Sequence, residues 1–137
     1  FTFRPVKAKS PLARLVPAAW AGQGGDQDDA YYGRSVGTAG DVNGDGYADV
    51  IVGADFYDAG QSFEGAAFVF LGSATGIADG NPSTAHAQLE SNQSRAFLGS
   101  SVSGAGDVNG DGFADVIVGA DFYDAGQSFE GAAFVFL

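Results

Sequence analysis

Cysteine and methionine are absent from the 137 residues, and histidine and tryptophan occur once each, as His86 and Trp20. Without cysteine there is no disulfide, no thiolate metal site and no thiol nucleophile. With a lone histidine as well, no nucleophile–base pair of the usual kinds stands out, so the chain reads as a non-enzyme with no catalytic residue. Lysine and arginine number 6 against 17 Asp and Glu, for a formal net charge of −11. Nucleic acid is excluded, because its phosphates need a basic surface. Anionic membrane surfaces are disfavoured for the same reason. No apolar run approaches the roughly 20 residues that span a bilayer, so membrane insertion is not expected. A start at Phe1 with no methionine fits a mature product or a segment of a longer chain.

What is abundant is glycine, at 22 residues, together with 12 Phe and 5 Tyr in a chain that is 45% hydrophobic. Frequent turns and aromatics favour short strands over helices. The chain also repeats itself. Asp41 aligns with Asp107 at an offset of 66 residues, and residues 39–71 equal 105–137 except for Tyr47 against Phe113. Upstream, Gln27/Gln93, Ala30/Ala96, Gly33/Gly99, Ser35/Ser101 and Val36/Val102 persist. Repetition at this period signals a solenoid, a propeller or an array.

Within one unit, strands are expected at Val36–Val42, Asp49–Ala54 and Ala66–Leu71, with a weaker one at His86–Glu90. The runs VIV and AFVFL are continuously apolar, as in sheets buried on both faces. The one helical candidate is Leu12–Val16, between Pro11 and Pro17. Residues 1–19 carry Arg4, Lys7, Lys9 and Arg14 with three prolines and read as an extended arm. The first repeat is then 20–85 and the second 86–137, the latter lacking a final outer strand. Trp20 aligns with His86, which puts the end of the arm in the slot of an outer strand.

The strongest chemical signal is D-x-N-x-D-G-x-x-D, present twice: Asp41, Asn43, Asp45, Gly46, Asp49, and Asp107, Asn109, Asp111, Gly112, Asp115. Oxygens at positions 1, 3 and 5 of a tight loop converge on one point. The carbonyls of Tyr47 and Phe113 at position 7 and the aspartates at position 9 can add two more. Hard oxygen donors on a flexible loop with glycine at position 6 suit Ca²⁺. Unneutralised carboxylates about 4 Å apart would repel by roughly 4 kcal/mol per pair at an effective dielectric near 20. Two Ca²⁺ would take the formal charge from −11 to −7. An ordinary Asp-Gly turn explains one dipeptide of this pattern but not the oxygen series, repeated twice. An EF-hand is not expected, because position 12 is Val52 or Val118 instead of Glu and a strand former follows.

These motifs resemble the FG-GAP repeat of integrin alpha subunits. The resemblance rests on Tyr32-Gly33, Ser35-Val36, Gly40-Asp41, the loop, VIV and Gly53-Ala54. In the second copy it rests on Leu98-Gly99, Ser101-Val102, Gly106-Asp107 and Gly119-Ala120. It covers roughly residues 20–137. Departures are Asp55 and Asp121 where the family usually has proline, and Leu98 for the aromatic. The resemblance implies an all-β fold of two four-stranded antiparallel propeller blades, each with its metal in the hairpin between the first two strands. It also implies an extracellular or cell-surface location and a role in adhesion or ligand binding, with a protein or glycan as ligand.

Two blades leave open faces and edges, and propellers typically use four to eight. The favoured reading is therefore a calcium-binding, non-catalytic repeat module that self-assembles through these open surfaces into a ring or filament; the alternative is an adhesion or ligand-binding segment of a longer propeller, whose further blades would cover them. The arm is a candidate to supply the missing outer strand to a neighbouring copy by strand addition. Asp55, Asp58 and Glu64, with copies Asp121, Asp124 and Glu130, read as a solvated acidic loop before a second cation site. Asn92-Gln93-Ser94 is a glycosylation acceptor or a chance tripeptide.

Overall fold

The computed structural model describes residues 27–137. The arm, Trp20 and the Leu12–Val16 helix candidate lie outside them. Seven strands follow in order: β1 (Ser35–Gly40), β2 (Asp49–Ala54), β3 (Ala66–Phe70), β4 (Ala87–Glu90), β5 (Leu98–Gly106), β6 (Asp115–Ala120) and β7 (Ala132–Phe136). The one helical element among the described residues is a 3-10 turn at Pro82–Thr84, capped reciprocally by Asn81 and Thr84. No helix there is long and apolar enough to cross a membrane.

The strands form two antiparallel sheets, β1-β2-β3-β4 and β5-β6-β7. Register repeats between them: Ile51 faces Gly37 and Val69 in the first, as Ile117 faces Ser103 and Val135 in the second. The strand expected at His86–Glu90 pairs with β3 and completes the first sheet, so the sheet boundary falls after Glu90. The second sheet has three strands and leaves β7 as an edge among the described residues. The sheets do not close into a ring.

Because strand side chains alternate, each sheet has two apolar faces. Val52, Ala54, Ala66, Phe68 and Phe70 on one face of the first sheet pack with Ala30, Tyr32 and Tyr57. On the opposite face Ile51, Ala67 and Val69 meet Val116, Val118 and Ala120 of the second sheet, flanked by Phe134 and Phe136. This sheet-on-sheet core is why the central runs need no polar alternation. The lead-in to β5 also lies along the β2–β3 connection. Arg95, Phe97 and Leu98 N–H donate to the carbonyls of Ser62, Phe63 and Glu64 at 2.9, 3.2 and 2.9 Å. The Phe97 ring packs against Phe56 and Phe63, with centroids at 4.9 and 6.3 Å.

Identical sequences take different environments. In β3 the run AAFVF is buried at every position, whereas in β7 the same run alternates between half-buried and exposed. Val69 is 3% exposed and its counterpart Val135 is 47% exposed. The difference comes from what covers the sheet, since local sequence is the same.

Candidate metal centre

Each acidic loop joins the first two strands of its sheet: 41–48 between β1 and β2, and 107–114 between β5 and β6. Asp41 Oδ1 and Asn43 Oδ1 accept from the same amide, Asp45 N–H, at 3.0 and 3.2 Å. Asn43 Nδ2 donates to Asp45 Oδ2 at 2.9 Å. Positions 1, 3 and 5 are thereby tied together by the loop's own hydrogen bonds. The second loop repeats the pattern: Asp111 N–H donates to Asp107 Oδ1 and Asn109 Oδ1, both at 3.0 Å. Gly46 and Gly112 N–H close the turn onto the second oxygens of Asp41 and Asp107, at 2.8 and 2.9 Å.

Tyr47 and Phe113 donate their N–H to Asp45 Oδ1 and Asp111 Oδ1 at 2.9 and 3.0 Å. The Phe113 amide, then the Asn109 side chain, hold the exposed Asp111 carboxyl below the usual aspartate range. Such a carboxylate stays ionised and ready for a cation.

The position-9 aspartates are held by other amides than those that link positions 1, 3 and 5. Asp49 is buried, and its oxygens accept from Val42 and Gly72 N–H at 2.8 and 2.7 Å. Asp115 is equally buried and accepts from Val108 at 2.7 Å, while its Oδ1 has no hydrogen-bond partner. A carboxylate has about four lone-pair sites, so amide bonding leaves capacity for a further ligand. Among the described residues no three His, Cys, Asp or Glu side chains close on a common point. In each loop two Asp and one Asn are linked by hydrogen bonds, an all-oxygen donor set of a kind that fits a hard cation and offers nothing to a soft one.

The second acidic group is not a cluster. Asp55 is 4% exposed, pairs with Arg34 Nη1 at 2.8 Å and leaves Oδ1 unpartnered. Glu64 is buried, and Asp58 Oδ1 accepts from Phe63 N–H at 2.6 Å. The solvated loop expected from the sequence holds for the copies Asp121, Asp124 and Glu130, which are exposed. It fails for Asp55 and Glu64, which the adjoining sheet covers. Burial pushes the Asp55 carboxyl above the ordinary value of 3.8; Arg34 opposes this and Asp121 adds to it. The folded state therefore binds this proton more tightly than the unfolded chain. The resulting stabilisation is full below 3.8 and is lost as pH rises through the folded value. Urea midpoints measured across that interval should climb as pH falls in the wild type relative to Asp55→Asn; parallel profiles would refute the assignment.

Sequence reading missed a clip that the structure repeats. Gln27 exchanges two hydrogen bonds with the Asp58 backbone, at 2.6 and 2.7 Å. Gln93 does the same with Asp124, at 3.1 and 2.6 Å. The persistence of glutamine at both positions was the available signal. His86 is exposed and immediately precedes β4, with its N–H on the Val69 carbonyl at 2.8 Å.

Adjoining antiparallel sheets, each with an acidic hairpin between its first two strands, define a tandem-blade protein of the propeller type. The family model for the FG-GAP repeat matches residues 32–70 and 98–136. Integrin alpha-3 of Mus musculus is 38% identical over 104 residues, 75% of this chain and 9% of that protein. Integrin alpha pat-2 of Caenorhabditis briggsae is 42% identical over 97 residues, 70% of this chain and 8% of that protein. Integrin alpha-5 of Xenopus laevis is 39% identical over 90 residues, 65% and 8% respectively. The chain thus spans under a tenth of the length of these relatives. It belongs to the FG-GAP repeat family, of the integrin-alpha-like kind.

Proposed function

We propose that the chain is a pair of consecutive blades from a calcium-stabilised, non-catalytic propeller that acts outside the cell in adhesion or ligand binding. The observation that supports this most is the pair of all-oxygen loops, each gathered by the same hydrogen bonds, in a chain of this family. Asp41, Asn43, Asp45, the Tyr47 carbonyl and Asp49 would hold one Ca²⁺. Asp107, Asn109, Asp111, the Phe113 carbonyl and Asp115 would hold the other. Calcium supplies charge neutralisation there. The chain's own part is to present the oxygens and, through Asp49 and Asp115, to tie each loop to its strands. The three units proposed are an arm at 1–19 and sequence repeats at 20–85 and 86–137, the second opening on the strand that completes the first sheet.

A site filled at ten times its dissociation constant adds about 1.4 kcal/mol of stability. Chelation should therefore lower the melting temperature, and calorimetric titration should return two sites per chain. A melting temperature indifferent to both calcium and chelator would remove this reading.

A second reading, self-assembly into a ring or filament, is favoured by one observation: the face of the second sheet bearing Ile117 and Val135 is open where the matching face of the first is covered. Another copy or a further blade of a longer chain would fit that face. If copies associate through it, Val135→Asp should shift light scattering from assemblies to single chains without lowering the urea midpoint. Assemblies of unchanged size would exclude this face. Strand addition by the arm concerns residues outside those described; deleting 1–19 tests it by the same scattering measurement.

A further inference from the structure

The two acidic loops touch each other, and the contacts fall on ligand-bearing segments of both. Ala114, between Phe113 and Asp115 of the second loop, donates its N–H to the Asp41 carbonyl of the first at 2.9 Å. The Phe113 ring lies over Gly44, between Asn43 and Asp45: a Cβ built on Gly44 would sit 2.8 Å from that ring. The first loop is thus held at position 1 by a backbone hydrogen bond and at position 4 by an aromatic ring, both from the second loop. The support runs one way. Nothing described lies within 4 Å of a Cβ built on Gly110, the second loop's counterpart of Gly44.

We infer that the two loops bind calcium cooperatively, with Phe113 and Ala114 carrying the coupling from the second loop to the first. This rests on the metal reading above. Positions 7 and 9 of the second loop flank Ala114, so a cation held there fixes the N–H that holds Asp41. The same cation fixes the backbone from which the Phe113 ring reaches Gly44. With the second loop empty, its carboxylates repel, the loop loosens, and the first loop loses both supports. The first loop must then order itself at its own expense, which lowers its affinity. By linkage, a cation in the first loop favours the second by the same factor.

The test titrates the full chain with Tb³⁺, a hard cation of similar size to Ca²⁺, and reads luminescence sensitised by Tyr47 within the first loop. Tyr47→Phe identifies which part of the signal is local. The second loop is disabled by Asp107→Asn with Asp111→Asn, and circular dichroism checks that each variant is folded. The expected result is a first-loop dissociation constant raised by about fivefold or more, the usual lower range of coupling between sites. Phe113→Ala should move the same constant in the same direction. Phe113→Leu, which keeps an apolar side chain over Gly44, should restore it in large part.

A first-loop constant equal in the wild type, the Asp107→Asn/Asp111→Asn variant and Phe113→Ala would overturn the coupling while leaving calcium binding intact. Absence of any Tyr47-sensitised signal in the wild type, with no calorimetric calcium binding, would overturn the metal reading and the coupling together.

Discussion

Gly65→Ala should cost several kcal/mol and separate the two sheets, whereas the same change at its repeat counterpart, Gly131→Ala, should cost far less. Both glycines have left-handed backbones, with φ of +76° and +75°. An alanine there costs about 1–2 kcal/mol in either copy. Only Gly65 is also crowded: its added Cβ would lie 2.1 Å from the Leu98 carbonyl oxygen and 2.4 Å from the Leu98 nitrogen. These are backbone atoms and cannot swing aside. Relief requires breaking the bridge between Gly65 and Leu98, and with it the bonds from Phe97 and Leu98 to the β2–β3 connection. At about 1 kcal/mol for each lost hydrogen bond, plus the backbone term, the total reaches about 3 kcal/mol or more. That is a large part of the 5–15 kcal/mol that holds a typical domain together. At Gly131 the nearest atom is the Asp121 carbonyl oxygen at 3.0 Å, a contact that a small shift relieves. Urea denaturation of the two variants side by side is the measurement. Equal losses would mean that the sheets do not meet at Leu98.

The second large effect is expected at Asp49, and again its twin is the control. Asp49→Ala strands two amides, Val42 and Gly72, whose N–H groups the buried carboxylate accepts at 2.8 and 2.7 Å. A buried donor left without a partner costs about 1–3 kcal/mol, as for Gly72, and loss of the part-buried Val42 bond about 1 kcal/mol, so Asp49→Ala should lose about 2–4 kcal/mol. Asp115→Ala strands only Val108 and removes an oxygen that has no partner, so it should lose about half as much or less. Both measurements belong in excess chelator, so that any loss of a metal ligand drops out of the comparison. If Asp115→Ala proves as costly as Asp49→Ala, the Gly72 bond contributes nothing.

Much of the architecture was open to direct reading. Strand β2 falls on the expected residues, β3 and β4 differ from expectation by one residue at one end, and β1 begins one residue earlier and ends two earlier than expected. Short apolar runs bounded by glycine-rich turns leave few alternatives. The hairpin position of the acidic loops follows from having strand formers on both sides. Gathering of positions 1, 3 and 5 follows from the loop's own amides, which are local in sequence. The resemblance to FG-GAP repeats was carried by these local features and agrees with the family match.

What could not be read was set by contacts distant in the chain. The Gly72 bond to Asp49 crosses 23 positions, the Gln27 clip on Asp58 crosses 31, and the Ser35 hydroxyl bond to the Gly99 carbonyl crosses 64. No periodicity within a strand announces such partners.

The repeat itself separates the two levels. Residues 39–71 and 105–137 differ at one position, and they form the same strands, the same register and the same acidic hairpins. Backbone preference, turn chemistry and loop hydrogen bonding act over a few residues, so identical segments must agree on them. Burial did not repeat: Asp55 is covered and Asp121 exposed, Val69 is enclosed and Val135 open, and Gly65 is crowded where Gly131 is not. Each of those properties depends on whether another sheet lies against the segment, and a sheet face cannot supply its own neighbour.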